Sequence, residues 1–231
     1  MTTTGPRIIG FDADDTLWHN EAAFKLTQAR FAALLADHAE TDHLMERLDA
    51  VERRNMGVYG FGVKAFTLSL IETAVEVTDG AVPGSVVKEL LDAGREMLAH
   101  PVELLPHARA TVEALAADHD IVLVTKGDLL DQERKLAASG LGDLFDAVEI
   151  VSDKTPEVYA RAFAAHGADR GLMVGNAMRS DVLPALAAGA WGVHCPSELE
   201  WGYEAAADPV GEARFHRIAH LGELPGLVAR L

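Results

Sequence analysis

The sequence predicts an α/β fold, in which a parallel β-sheet is covered by helices and an all-helical region is inserted after the first strand. The apolar run RIIGFD, residues 7–12, stops at a charge, as a buried strand does. Residues 21–99 show apolar residues at helical spacing and no convincing strand. After Pro106, helix and strand patterns alternate, which is typical of a parallel sheet with helices on both faces. We therefore assign residues 1–17 and 101–231 to a Rossmann-like α/β core and residues 18–100 to a helical cap.

The individual elements follow from local patterns. Four helices are expected in the insertion, in the segments EAAFKLTQARFAALLADH, HLMERLDAVERRNM, KAFTLSLIETAVEV and SVVKELLDAGREML. The alternating region then predicts helix HARATVEALAAD, strand DIVLVT, helix LLDQERKLAAS, strand AVEIV, helix PEVYARAFAAH, strand GLMVG, helix SDVLPALAAG and strand WGVHC. Thr155 before Pro156 is typical of a capped helix start, and Gly140 and Gly189 stand where helix ends favour a left-handed residue. The late segment FHRIAHL is expected as an edge strand.

Composition and charge limit the classes of function. The chain has 231 residues, 20 of them basic and 36 acidic, and a formal charge of −16, which disfavours nucleic acid and anionic membranes as partners. The single cysteine, Cys195, allows no intramolecular disulfide, and we expect it to be buried and inert. The N-terminus lacks a signal-peptide pattern, and no apolar stretch approaches the roughly 20 residues of a membrane span. These observations predict a soluble, cytoplasmic protein.

Polar residues follow four of the predicted strands. Ligands in an open parallel sheet bind outside the carboxyl ends of the strands, so these residues are expected at one mouth. They are Asp12, Asp14, Asp15 and Thr16, then Thr125–Asp128, then Ser152–Lys154, and finally Gly175, Asn176, Ser180 and Asp181. Two carboxylates about 4 Å apart repel by about 4 kcal/mol at an effective dielectric constant of about 20, and a divalent cation reverses the sign. Oxygen ligands without a Cys or His cluster indicate a hard ion such as Mg²⁺.

The four motifs, in this order, resemble those of the haloacid dehalogenase superfamily of hydrolases. The family pattern begins with DxDx[TV] after the first strand and continues with Thr or Ser, then Lys, then an acidic cluster after later strands. The resemblance extends over the whole chain, because the helical insertion is similar to the family's helical cap. It implies that Asp12 is the nucleophile that forms an aspartyl-phosphate, that Asp14 is the general acid and base, and that Lys154 neutralises the developing charge.

The resemblance also implies the phosphate and metal ligands. Thr125 and the backbone amide of Lys126 would hold the phosphoryl oxygens. The Mg²⁺ ligands would be Asp12, the backbone carbonyl of Asp14, Asn176 and Asp181. Asn176 departs from the pattern, since many relatives have Asp there, and an amide oxygen binds the metal without contributing charge.

The residues at positions 15 and 14 bear on two open questions, the role of the third aspartate and the type of reaction. Asp15 stands where the commonest family form has Gly; it can adopt the left-handed conformation, or its carboxylate can face solvent or approach the metal. Asp14 is lacking in the family's dehalogenases, because a halide leaves without a proton whereas an alkoxide requires one. The sequence therefore predicts a Mg²⁺-dependent phosphatase for a small phosphorylated metabolite. The alternatives are a 2-haloacid dehalogenase-type hydrolase and a non-catalytic protein that binds a phosphometabolite.

Several residues outside the motifs have two interpretations. Asn55, Tyr59, Phe61 and Lys64 lie in a glycine-interrupted cap segment that either recognises the substrate or packs on itself. The side chain of Lys126 either acts in catalysis or pairs with a nearby carboxylate. The remaining candidates are expected to be structural or on the surface: Trp18, Asp128, His216 and His220.

Overall fold

A six-stranded parallel sheet forms the centre of the computed structural model, which describes residues 5–199 and 201–231. The strands are β1 Ile8–Phe11, β2 Asp120–Lys126, β3 Ala147–Val151, β4 Gly171–Gly175, β5 Trp191–His194 and β6 Phe215–Arg217. Their order in the sheet is β3-β2-β1-β4-β5-β6. The helices are α1 Glu21–Leu34, α2 Thr41–Tyr59, α3 Val63–Val77, α4 Gly84–Ala99, α5 Ala108–Ala116, α6 Leu129–Ser139, α7 Pro156–Ala162, α8 Leu183–Ala187 and α9 Leu224–Val228. The predicted fold class is confirmed.

The strand order determines where a ligand can bind. From β1 the chain proceeds outwards through β2 and β3, and it then returns to place β4 on the other side of β1. The connections therefore reverse direction between β1 and β4. A crevice opens outside the carboxyl ends of the strands at such a switch point.

Strand β1 is buried on both faces of the sheet, which explains its continuous apolar run. Ile9 and Phe11 join the core beneath α5 and α9, whereas Ile8 joins the opposite core with Tyr159 of α7 and with Phe163, which directly follows that helix. Successive side chains of a strand point to opposite faces, so a strand covered on both sides has to be apolar at each position. The run ends at Asp12, which directly follows the strand and is itself buried.

The chain forms two compact units. The α/β unit comprises residues 5–21, Val102–Lys126 and Gln132–Leu231, and the helical unit comprises Ala22–Pro101 and Gly127–Asp131. The segment Gly127–Asp131 directly follows β2, yet it groups with the helices, which the predicted boundaries did not anticipate. The helical unit has its own apolar core. Its fully buried members include Phe31, Leu35, Leu44, Leu70 and Leu90.

Local details agree with most element predictions and correct two. Thr155 caps α7, with its side chain accepting from the backbone N–H of Val158, and Gly140 and Gly189 have φ values of 66° and 89°. Helix α7 ends at Ala162, earlier than expected. The predicted helix SDVLPALAAG begins instead as one π-helical turn, Met178–Val182, before α8.

The C-terminal region contains the predicted edge strand. It is β6, paired in parallel with β5. Because His216 lies in this strand, the spacing of His216 and His220 is not that of a helical pair. Cys195 is buried and forms no disulfide, and burial raises its pKa to about 11, which keeps the thiol protonated at neutral pH. Within the described ranges, every helix is too short or too polar to cross a membrane.

Candidate active site

The loop after β1 is connected to the loop after β4 by hydrogen bonds. The Thr16 hydroxyl donates to Asp12 Oδ2 over 2.8 Å, and the backbone N–H of Asn176 donates to Thr16 Oγ1 over 3.0 Å. His194 Nε2 lies 2.9 Å from the backbone oxygen of Asn176. Asp12 is 6% exposed, so one carboxylate oxygen is oriented by Thr16 in a largely water-free position. Thr16 was part of the motif, but its sequence position did not indicate this contact.

Lys154 joins two buried carboxylates. Its ammonium donates to Asp12 Oδ1 and, over 2.6 Å, to Asp181 Oδ1. Burial by itself would lower the pKa of Lys154, but the charges of Asp12 and Asp181 outweigh it and raise the pKa above its usual range. The lysine therefore stays charged, as neutralisation of an anion requires.

Asp181 is fixed on the opposite side of Lys154. Its Oδ2 accepts from the backbone N–H of Ala177 over 2.9 Å, and a Cβ at Gly175 would come within 2.1 Å of that oxygen. Burial raises the pKa of Asp181 to about 7, the charge of Asp12 adds to this, and Lys154 opposes it. Asp12 and Asp181 therefore share a single ammonium.

Asp14 is held by residues that the motif did not identify. Trp18 Nε1 donates to Oδ1 over 2.7 Å, and Gln132 Nε2 donates to Oδ2 over 2.8 Å. Lys135 Nζ contacts both oxygens, at 3.0 and 3.2 Å. Burial raises the pKa of Asp14, but the charge of Lys135 and the hydrogen bonds outweigh it, so the pKa lies below its ordinary value. The indole N–H of Trp18 thus has a polar role besides packing.

Comparison with known proteins shows the family. A model described as haloacid dehalogenase-like hydrolase matches residues 6–189. The chain belongs to the haloacid dehalogenase-like hydrolase family. A family hydrolase from Xanthomonas campestris is 39% identical, with a TM-score of 0.87, and the match covers 98% of this chain and 91% of that one. No curated protein matches the chain.

Two more distant solved structures of haloacid dehalogenase-like proteins share the fold alone. The L-2-haloacid dehalogenase of Xanthobacter autotrophicus, with chloropropionic acid covalently bound, is 19% identical, with a TM-score of 0.64 and coverage of 97% of this chain and 98% of that one. A predicted phosphoglycolate phosphatase from Haemophilus somnus is 17% identical, with a TM-score of 0.65 and coverage of 98% and 99%. Structures of this fold thus include a dehalogenase and a predicted phosphatase, and family membership does not choose between the two activities.

The second-strand motif of this hydrolase includes a partly buried ion pair. Thr125 is 1% exposed, and the Lys126 ammonium donates to Ser180 Oγ over 2.7 Å and to Glu204 Oε1. Ser180 Oγ donates in turn to Glu204 Oε2 over 2.5 Å. The structure agrees with the interpretation in which the Lys126 side chain pairs with a nearby carboxylate. Sequence reasoning missed Glu204 because the segment after Trp201 has no periodic pattern.

Asp15 adopts the left-handed backbone conformation, with φ 59°. Its carboxylate accepts from the backbone N–H groups of Asn20 and Glu21, at the start of α1, over 2.9 to 3.1 Å. These contacts support the structural interpretation of Asp15. Burial raises the pKa of Asp15 to about 7, although the hydrogen bond from the backbone N–H of Asn20 lowers it.

Substitutions at Asp15 separate backbone strain from hydrogen bonding. Asp15→Ala is expected to destabilise the protein by about 2 kcal/mol, from left-handed strain of about 1 kcal/mol and a lost acceptor of about 1 kcal/mol. Asp15→Gly should lose only the hydrogen-bond contribution, and Asp15→Asn should lose little stability.

The stability of the protein should also depend on pH through Asp15. Because the folded-state pKa of Asp15 is raised, its ionisation lowers the free energy of unfolding as the pH rises through 7, and the Asn variant should lack this decrease. Urea unfolding at pH 5 and pH 8 in metal-free buffer measures both effects; equal losses for Ala and Gly would contradict the strain.

The donors around Asp12 fit a hard divalent cation. The oxygens that would hold it are the carboxylates of Asp12 and Asp181, the side-chain amide of Asn176 and the backbone carbonyl of Asp14. Thr16 Oγ1 lies 3.4 Å from Asn176 Oδ1, so that amide oxygen is oriented towards the same loop. Among the described residues, no three His, Cys, Asp or Glu side chains cluster closely enough to hold a metal. A metal here would therefore need the amide and the carbonyl as well as the two carboxylates.

Of the predicted recognition residues, Asn55 is bonded inside the helical unit of this hydrolase. It is 6% exposed, and its Nδ2 donates to Ser69 Oγ over 3.2 Å and to Glu72 Oε2 over 2.6 Å. This placement favours the packing interpretation for Asn55. Tyr59, at the end of α2, is 51% exposed, and Lys64 Nζ lies 2.9 Å from both carboxylate oxygens of Asp128.

Proposed function

We propose that this hydrolase is a Mg²⁺-dependent phosphatase that cleaves a phosphate monoester of a small cytoplasmic metabolite. The observation on which the proposal depends is the second carboxylate, Asp14, two positions after Asp12 in the same loop. Breaking an ester bond to phosphorus leaves an alkoxide that needs a proton, whereas displacement of a halide does not. A general acid beside the nucleophile therefore favours phosphate-ester cleavage.

The proposed reaction has two steps. An oxygen of Asp12 attacks phosphorus, the P–O ester bond breaks, and the leaving oxygen takes a proton from Asp14, giving an aspartyl-phosphate and an alcohol. A water molecule then attacks phosphorus, and Asp14 takes its proton. Cleavage of the acyl-phosphate P–O bond releases inorganic phosphate and restores Asp12. In the ligand-free protein Asp14 is a carboxylate, the form that the second step requires, and the negative charge of a bound phosphoryl group favours its protonation for the first.

The other residues of the site would neutralise negative charge and bind the phosphoryl group. Lys154 contacts Asp12 directly, so its ammonium lies where the carboxylate and the incoming phosphoryl group combine their negative charge. Thr125 and the backbone amide of Lys126 would bind phosphoryl oxygens. Mg²⁺, held by the oxygen donors described above, would supply further positive charge.

A release assay tests the proposal against both alternatives. The protein is incubated with Mg²⁺ and a panel of phosphorylated metabolites, p-nitrophenyl phosphate and 2-haloacids, and phosphate and halide are measured. We expect phosphate release that stops with chelator and returns with added Mg²⁺. Halide release without phosphate release would instead establish dehalogenation. Saturable binding of a phosphometabolite with neither product released would establish a binding protein.

The role of Lys64 in substrate recognition is a separate prediction. Its partner Asp128 provides a matched control, because either substitution breaks the same half-exposed ion pair, which contributes at most about 1 kcal/mol to stability. Lys64→Ala is expected to lower kcat/KM for the metabolite substrate by about tenfold, with little change for p-nitrophenyl phosphate, which lacks the portion recognised. Asp128→Ala should spare both substrates, and Tyr59→Phe should show a weaker form of the Lys64 effect. Identical kinetics in the two alanine variants would assign the pair to packing of the helical unit.

A further inference from the structure

Two residues of α6, Gln132 and Lys135, have no place in the family motifs, yet both contact Asp14. We propose that they are positioning residues, which hold the Asp14 carboxylate in the orientation that its proton transfers require. This inference rests on the proposed phosphatase function and adds the residues that direct its acid and base.

The contacts involve both Asp14 oxygens. Trp18 and Lys135 donate to Oδ1, while Gln132 and Lys135 donate to Oδ2. Three donor groups on the two oxygens, with Lys135 shared between both, restrict the rotation of the carboxylate about both side-chain bonds. Gln132 and Lys135 are three positions apart on α6 and therefore project from the same face of the helix.

The two donors are themselves fixed by neighbours of the reacting groups. Gln132 Nε2 also donates to the backbone oxygen of Lys126 over 3.2 Å, and Lys135 Nζ donates to Asn20 Oδ1 over 2.8 Å. Gln132 is 3% exposed and Lys135 is 9% exposed. The orientation of Asp14 is thus tied to the second-strand motif and to the end of its own loop.

Stability alone does not account for this arrangement. A buried ion pair often contributes no more than well-packed apolar residues of the same volume would, because both charges lose their hydration. In addition, Gln132 Oε1 is buried and accepts no hydrogen bond within the part of the chain that the structure describes. An acceptor buried in this way weakens a fold unless it gains a partner. A water or a leaving hydroxyl beside Asp14 would provide one, which agrees with a role in turnover.

The test compares substrates that differ only in their need for a proton. Phenyl phosphates with ring substituents release phenols of increasing pKa, from p-nitrophenol to phenol, so the need for a general acid rises along the series. For Lys135→Met we expect kcat/KM for p-nitrophenyl phosphate to change little and kcat/KM for phenyl phosphate to fall by about a hundredfold, at the lower end of general acid–base effects. In the Gln132→Leu protein kcat/KM should likewise fall more steeply as the pKa of the leaving phenol rises. The Lys135→Arg protein should retain part of the activity on phenyl phosphate that Lys135→Met loses. Lys88→Met, at an exposed lysine of the helical unit, is the matched control and should match wild type throughout.

The possible outcomes distinguish a positioning role from a purely structural one. The positioning role would be overturned if the folded Lys135→Met and Gln132→Leu proteins showed the same decrease in kcat/KM for every substrate, or no decrease. The phosphatase proposal would remain intact in that case. If Lys135→Met does not fold, Gln132→Leu and Lys135→Arg make the same comparison. A wild-type protein that releases no phosphate from any ester would overturn the proposed function, and this inference with it.

Discussion

The Asp12→Asn protein is expected to fold and to lose phosphate-ester hydrolysis by about 10⁴-fold or more, on the scale seen when a catalytic nucleophile is removed. The amide is nearly isosteric with the carboxylate but cannot attack phosphorus. Its oxygen can still accept from Thr16 or from Lys154, and Lys154 keeps its contact with Asp181. We therefore expect only a modest change in the free energy of unfolding.

The measurement is kcat/KM for p-nitrophenyl phosphate, alongside circular dichroism and urea unfolding. Asp128→Asn is the matched control, because it makes the same chemical change at a carboxylate of the helical unit. A folded Asp12→Asn protein with wild-type turnover would remove Asp12 from the mechanism. Loss of activity in the control to the same extent would show that the assay reports general damage.

The Lys154→Met protein is expected to lose both activity and stability. Removing the ammonium leaves two buried carboxylates, Asp12 and Asp181, without their shared cation, and breaking a buried pair in this way costs about 3 to 5 kcal/mol. Loss of charge neutralisation should lower kcat by at least about a hundredfold in whatever protein remains folded.

The stability loss should depend on pH. In wild type, burial already raises the pKa of Asp181 to about 7, and without Lys154 the folded state should hold the proton still more tightly. A carboxyl whose folded-state pKa is raised stabilises the fold below that pKa and loses this contribution as the pH rises. The difference between variant and wild type should therefore shrink from pH 8 to pH 5 in metal-free urea unfolding. A pH-independent difference, or one no larger than that of Lys88→Met, would contradict the charge argument.

The convergence of the main site residues could be predicted from the sequence because it follows from short-range patterns. An apolar run that ends at Asp12 predicts a strand end, and the same holds for Thr125. Alternation of helices and strands predicts parallel strands, and parallel strands place their carboxyl ends at one edge. The contact of Lys154 with Asp12 and Asp181 is therefore a consequence of topology. The left-handed Asp15 also has a local cause, since few other residues tolerate that conformation.

Only the tertiary structure decided which side chains surround those residues. Gln132 and Lys135 lie 118 and 121 positions from Asp14, and Glu204 lies 78 positions from Lys126. A contact over such a separation leaves no periodic pattern, because it depends on how packed helices and loops bring distant side chains together. For the same reason the sequence left open whether Asn55 and Lys64 face a substrate, and packing within the helical unit gave each a partner of its own. Local patterns therefore determine the strands and the motifs at their ends, whereas the hydrogen-bond partners that orient each catalytic group depend on three-dimensional packing.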